Sequence, residues 1–166
     1  MGFDLYGRNP KLTGEKPEID WDTKPSDEER TKFFEDLEKF EQDNPGYYFR
    51  NNVWYWRPLW SYICDYIAPD ILSDEDKKGG AYNDCHHINA IKANYIADKI
   101  AEKHANGELQ KFADWYQISR DNLPKETCNI CEDGMRDNWA KSYPFEVENV
   151  LEFGRFCKES GGFEIG

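Results

Sequence analysis

Val53, Trp56, Trp60, Ile63 and Ile67 recur three, four, three and four positions apart, the spacing of one face of an α-helix. Pro58 stands in the middle of that stripe. Inside a helix a proline forfeits one backbone hydrogen bond and crowds the preceding turn, at about 3 kcal/mol. At the first helical position it costs little. The pattern therefore predicts a helix from near Pro58 to Ala68, stopped by Pro69, with 46–57 as an extended or turn segment leading into it. The same stripe indicates what holds the chain together. Ten Phe, ten Tyr and six Trp stand among 166 residues whose mean hydropathy is −0.93. Aliphatic side chains are scarce, so the expected core is built on rings whose Tyr and Trp polar ends reach partners or water.

The remaining elements follow from local signals. "SDEERTKFFEDLEKFEQDNPG" opens with the capping-box pair Ser26 and Glu29. Phe33, Leu37 and Phe40 then mark a helical face that "NPG" at 44–46 ends. A third helix is predicted over about 85–105, capped by Asp84 and buried through Ile88, Ile91, Tyr95, Ile96 and Ile100. A fourth runs from Glu108 to Ile118 through Leu109, Phe112, Ala113 and Tyr116, and helix returns after Pro144. "GGFEI" at 161–165 suits a short strand, and "LSDEDKKGGAYNDCHH" reads as a loop with a solvated charge run. Residues 1–25 show no periodicity and read as an extended, partly ordered arm. The expected fold is mainly α. It is a single compact domain over 26–166, with about five helices, an irregular C-x-x-C loop and short terminal strands.

Charge limits the partners. Asp and Glu number 33 against 21 Lys and Arg, a formal net charge of −12. Direct binding to a nucleic-acid backbone rests on cations displacing counterions, so neither that nor an anionic membrane surface is expected. An acidic excess commonly serves solubility; its sharper use is to compete for a basic groove on another protein. No apolar run approaches the roughly 20 residues of a membrane span, and "MGFDLYGRNP" lacks the basic start and apolar stretch of a signal peptide. A cytoplasmic protein is expected, with reduced thiols or a bound metal in place of a disulfide framework.

Against that acidic background, positions 44–64 hold no carboxylate at all. The stretch carries Arg50 and Arg57, with Asn51 and Asn52 beside them, and Trp54 and Tyr55 fall off the helical stripe. Guanidinium forks match phosphate or carboxylate, amides offer donors and acceptors, and free rings stack on a flat guest. A site for a small anionic ligand, such as a nucleotide, is therefore expected from Arg50, Asn51, Asn52, Trp54, Tyr55 and Arg57, with Asn83 adding a hydrogen bond. The plain structural alternative is that the rings are core and each Arg stacks on Trp to brace a turn.

The blocks "MGFDLYG", "YFRNNVWYWRPLW" at 48–60, "YND" at 82–84, "CNICEDGMR" at 128–136 and "YPFEVENVLEFGRF" with "SGGFEI" towards the end resemble a family of small, uncharacterised proteins encoded by bacteriophages and prophages. The resemblance spans most of the chain, and the tryptophan-rich block is its most specific part. It implies a viral accessory role, interfering with a host process or defence. The family pattern reads YNDG where this chain has Cys85, and its C-x-x-C-x-G-[ST]-G loop loses both glycine positions here.

Cys128 and Cys131 have the bite of one tetrahedral metal. The candidates to complete a structural zinc site with them are Cys85 and His87 (or His86), and Cys157 on the last helix, the binding energy replacing core that the chain lacks. The alternatives are a redox pair or a vestigial loop, with His86 and His87 in solvent. No phosphate-cradling glycine loop, zinc-protease helix or nucleophile elbow occurs. The leading reading is a non-catalytic phage-type binding protein that sequesters a small anionic ligand, a nucleotide of host defence signalling. A second is an acidic inhibitor of a basic, nucleic-acid-binding host protein. A third is a metal-dependent hydrolase built on Asp84, His86 and His87.

Overall fold

Phe3 and Leu5 are buried while Asp4 and Tyr6, which alternate with them, are not, as a pleated strand with one covered face requires. In the computed structural model, which describes residues 2–127 and 135–166, this segment is β1 (Gly2–Gly7). It lies inside a four-stranded antiparallel sheet with β2 (Tyr48–Asn52), β3 (His86–Asn89) and β6 (Gly162–Ile165), in the order β2-β1-β6-β3. Leu5 stands opposite Phe49 on one side and Ile165 on the other, and Ile88 stands opposite Phe163. The stretch read as an arm thus supplies an inner strand, and the two ends of the chain meet in one layer. β4 (Glu126–Thr127) and β5 (Met135–Arg136) pair separately.

This sheet corrects the mainly α expectation. The fold is mixed α/β, with 56% of the described residues in helix and 15% in strand. Strands of four to six residues give few repeats of a two-residue period, and their pairing partners lie far away in sequence. Among the described residues there are six α-helices: α1 (Asp27–Asp43), α2 (Val53–Tyr62), α3 (Asp74–Gly79), α4 (Ala90–Ala105), α5 (Glu108–Asp121) and α6 (Val147–Glu159). α1 has the expected capping box, Ser26 with Glu29, yet Phe40 is its only buried residue. α4 starts later than expected, because Asn89, not Asp84, caps it by accepting from the Lys92 N–H at 3.0 Å. The preceding His86–Asn89 are strand.

α2 starts five residues before Pro58. Asn52 caps it, its side-chain oxygen accepting from the N–H groups of Trp54 and Tyr55 at 3.0 and 3.2 Å. Pro58 therefore sits inside the helix and cannot donate to the Trp54 carbonyl. Burial decides the matter. Trp56, Leu59, Trp60, Tyr62 and Ile63 are all at most 3% exposed, and each such side chain contributes about 1.5–3 kcal/mol, well beyond the proline's cost of about 3 kcal/mol. The helix then widens into a π turn, Ile63–Ile67, in which the Ala68 N–H reaches back to the Ile63 carbonyl at 2.8 Å.

Trp56 is the hub of the ring core. It stacks on Phe3 and Trp60, each with a centroid separation of 5.4 Å, and meets Phe153 edge-on at 5.6 Å. Its Nε1–H donates to the Gly80 carbonyl at 2.8 Å, and the Trp60 Nε1–H donates to Lys77 at 3.0 Å. Gly80 lies so close that a β-carbon there would stand 2.1 Å from the Trp60 ring.

The run expected to be a solvated loop contains α3 and a buried carboxylate, Asp76, 4% exposed. Its Oδ2 accepts from the Ser73 N–H and hydroxyl, both at 2.8 Å, and from Lys92 Nζ at 2.5 Å. His86 Nε2 stands 3.1 Å from Oδ1. Burial alone would raise the carboxyl's pKa, but the hydrogen bonds from Lys92, Ser73 and His86 outweigh it and hold the group well below the usual carboxylate range. One side chain so ties α3 to β3 and α4.

Cys85, just before β3, is exposed and has φ of +61°, the left-handed region that favours glycine. Cys85→Gly is expected to raise stability by up to about 1 kcal/mol, the relief being partly offset by glycine's freer unfolded state. Cys85→Ala should give no such gain. Urea unfolding of the three proteins checks this.

Candidate functional site

The residues expected to form one anion pocket are dispersed by the fold. Arg50, on the edge strand β2, lies 3.5 Å from Asp4, whose carboxylate also accepts from the Tyr48 hydroxyl in a short hydrogen bond. Around Arg50 the open depression is lined by Glu38, Glu41 and Glu152 together with Arg155. Asn51 is buried and donates to the Asn149 side-chain oxygen at 2.8 Å. Asn52 is spent on the α2 cap, and Asn83 donates to the Gly2 carbonyl at 3.4 Å. Tyr55 is half-buried. Trp54 and Arg57 share a neighbour, Tyr143: Trp54 packs on its ring at 4.9 Å, and Arg57 Nη1 donates to its hydroxyl at 3.1 Å.

Arg57 leads to a different site. Between α2 with its π turn, α5 and the 139–143 turn lies a cleft of about 380 Å³, within the size range of small-ligand sites. Its walls are rings. Tyr62 at the end of α2 and Tyr66 on the π turn stack at 5.6 Å, and both pack on Phe112 of α5, at 4.4 and 4.8 Å. Trp139 meets Tyr143 edge-on at 5.2 Å. The Tyr116 hydroxyl donates to the Tyr143 carbonyl at 3.1 Å, which fastens this turn to α5. Tyr66, Trp115 and Trp139 are each more than half exposed and line the cleft.

Charged and polar groups converge there without ionic partners among the described residues. Arg57 meets no carboxylate among the described residues, and the Asp65 carboxylate, on the π turn, has no hydrogen bond or ion pair among them. The Ser61 and Tyr66 hydroxyls and the indole N–H groups of Trp115 and Trp139 are likewise without hydrogen-bond partners among the described residues. Burial, with Glu108 and Tyr66 adding to it, pushes the Tyr62 phenol up to about 12, so it remains a neutral donor at physiological pH. One cation and one anion, about two turns apart on one helix, thus bracket a ring-lined space.

Asp65, Tyr66, Trp115, Trp139 and Tyr143 were not among the sequence-derived candidates. A signal for some of them existed. Trp115 flanks the Leu109–Phe112–Tyr116 stripe, and Tyr66 falls off the Val53–Ile67 stripe, the same criterion that singled out Trp54 and Tyr55.

Cys128 and Cys131 lie outside the described residues. Of their expected partners, Cys85 is exposed, and His87 already uses both ring nitrogens, with Arg8 Nη1 at 2.9 Å and Glu164 at 2.6 Å. Among the described residues no group of three or more His, Cys, Asp or Glu side chains is placed to hold a metal ion. Cys64 and Cys157 are buried, and burial raises both thiols, Cys64 to about 12, which leaves them as inert packing. None of the described helices is long and apolar enough to cross a membrane. Comparison with protein-family models, with curated proteins and with solved structures finds no match.

Proposed function

We propose that this is a non-catalytic binding protein for a small nucleotide, held in the cleft between α2 and α5. The observation that supports it most is that Arg57, hydrogen-bonded only to the neutral Tyr143 hydroxyl, and the Asp65 carboxylate both line a space walled by rings with no ionic partner among the described residues. A nucleotide carries matching groups: phosphate for the guanidinium fork, a flat base for Tyr66 and Trp115, and an amino or imino N–H for the Asp65 carboxylate. Sequestering such a ligand fits the accessory role implied by the family resemblance. Compared with the sequence expectation, the ligand class and Arg57 stay, while Arg50, Asn51, Asn52 and Asn83 drop out because each serves the fold.

Titration of the protein with nucleoside 5′-monophosphates, followed by tryptophan fluorescence or calorimetry, tests this. Arg57→Ala is expected to weaken binding by about 10- to 100-fold, the loss of a charge-assisted contact of about 1.5–3 kcal/mol. Trp115→Ala should cost about tenfold, and Arg50→Ala should leave binding unchanged. Asp65→Asn should change the preference among bases. If no monophosphate binds, or if Arg50→Ala weakens binding as much as Arg57→Ala, the reading fails. Salt-sensitive capture of one basic protein, undisturbed by Arg57→Ala, would favour the acidic-inhibitor alternative instead.

A further inference from the structure

Arg57 and Ser61 stand one turn apart on α2 and line two clefts at once. On one side is the cleft just described. On the other is a smaller one of about 300 Å³, floored by Trp56 and Trp60 and flanked by Ala81 and Tyr82. Tyr82 is 59% exposed and its ring has no ring contact among the described residues. The two residues therefore form a ridge between two ring-lined hollows. The ridge presents one positive charge and one free hydroxyl, and both belong to either hollow.

The geometry points to a ligand with two bases joined through a phosphodiester. One base lies against Tyr66 and Trp115, the second against Tyr82, and the bridging phosphate sits over Arg57 and Ser61. This rests on the nucleotide reading and extends it from one base to two. Charge fits the same length. A single phosphodiester matches the single guanidinium on the ridge, whereas a longer strand would bring further phosphates against a protein of net charge −12, with no line of cations to receive them. Two sources supply this chemistry, a cyclic dinucleotide or a linear one, and the distinction lies with the experiment.

Calorimetric titration is run with AMP and GMP, with linear ApA and GpG, with the corresponding cyclic dinucleotides and with a longer adenylate strand. At least one dinucleotide is expected to bind about tenfold or more tightly than its monophosphate, the value of one added stacked base. Tyr82→Ala, a change at an exposed side chain, should abolish that gain and leave monophosphate affinity within about twofold. The linear and cyclic arms identify the source. If monophosphates bind as tightly as both dinucleotides, if Tyr82→Ala leaves the gain intact, or if the longer strand binds more tightly still, the two-base inference is overturned while the first cleft stands. If none of the ligands binds, both are overturned.

Discussion

Asp76→Ala is expected to lower the unfolding free energy by about 3–5 kcal/mol, the usual cost of breaking a buried pair from one side. Four groups lose their acceptor together: the Ser73 N–H and hydroxyl, Lys92 Nζ and His86 Nε2. The loss includes the α3 capping box, worth about 1 kcal/mol by itself, because Asp76 is its third helical residue. Asp76→Asn keeps an oxygen for Ser73 but removes the charge facing Lys92, so it should fall between wild type and alanine. The pH dependence has a definite sign. The carboxyl's folded pKa lies below its ordinary value of 3.8, so its stabilisation is complete above that value and drains away as pH falls through the folded pKa. Urea unfolding near pH 7 should therefore separate wild type from Asp76→Asn, and the gap should narrow in strong acid. An equal gap at both pH values would contradict the ionic account.

Trp56→Ala should cost a similar amount, about 3–5 kcal/mol, against a total stability of roughly 5–15 kcal/mol for a domain. Trp56 has no exposed surface and touches three rings that come from β1, α2 and α6. Its removal opens a cavity where the sheet meets two helices. Trp56→Phe isolates a second contribution. It retains a ring but strands the Gly80 carbonyl that the indole N–H satisfies, and a buried acceptor left unpaired costs about 1–3 kcal/mol. A phenylalanine variant as stable as wild type would show that this hydrogen bond adds nothing. Both variants should also disturb ligand binding at Arg57, the next residue along α2.

Three of the helices were legible because their signals are local. The Ser26–Glu29 box, the Leu109–Phe112–Tyr116 spacing and the restart after Pro144 each lie within one segment. The α2 stripe was legible too, but its start was not. Pro58 carries a penalty that only the summed burial of Trp56, Leu59 and Trp60 overcomes, and burial belongs to the folded chain. The absence of acidic residues over 44–64 tells the same story from the electrostatic side. Along the chain Arg50 and Arg57 share one carboxylate-free stretch. In space Asp4 and Glu152 come to Arg50 from either end of the sequence, while Arg57 turns towards α5.

By itself the sequence determined that rings would supply a large share of the core, where several of the helices lie, and that Arg57 would carry a charge beside aromatic faces. Composition and short-range periodicity suffice for all three. Only the tertiary structure decided that Gly2–Gly7 pairs with Gly162–Ile165 at the centre of a sheet, that Asp76 is buried and tied, and that the open cleft lies against Trp115 and Tyr143. Each of these joins residues far apart along the chain, and the free energy of such a contact depends on what else it excludes from water.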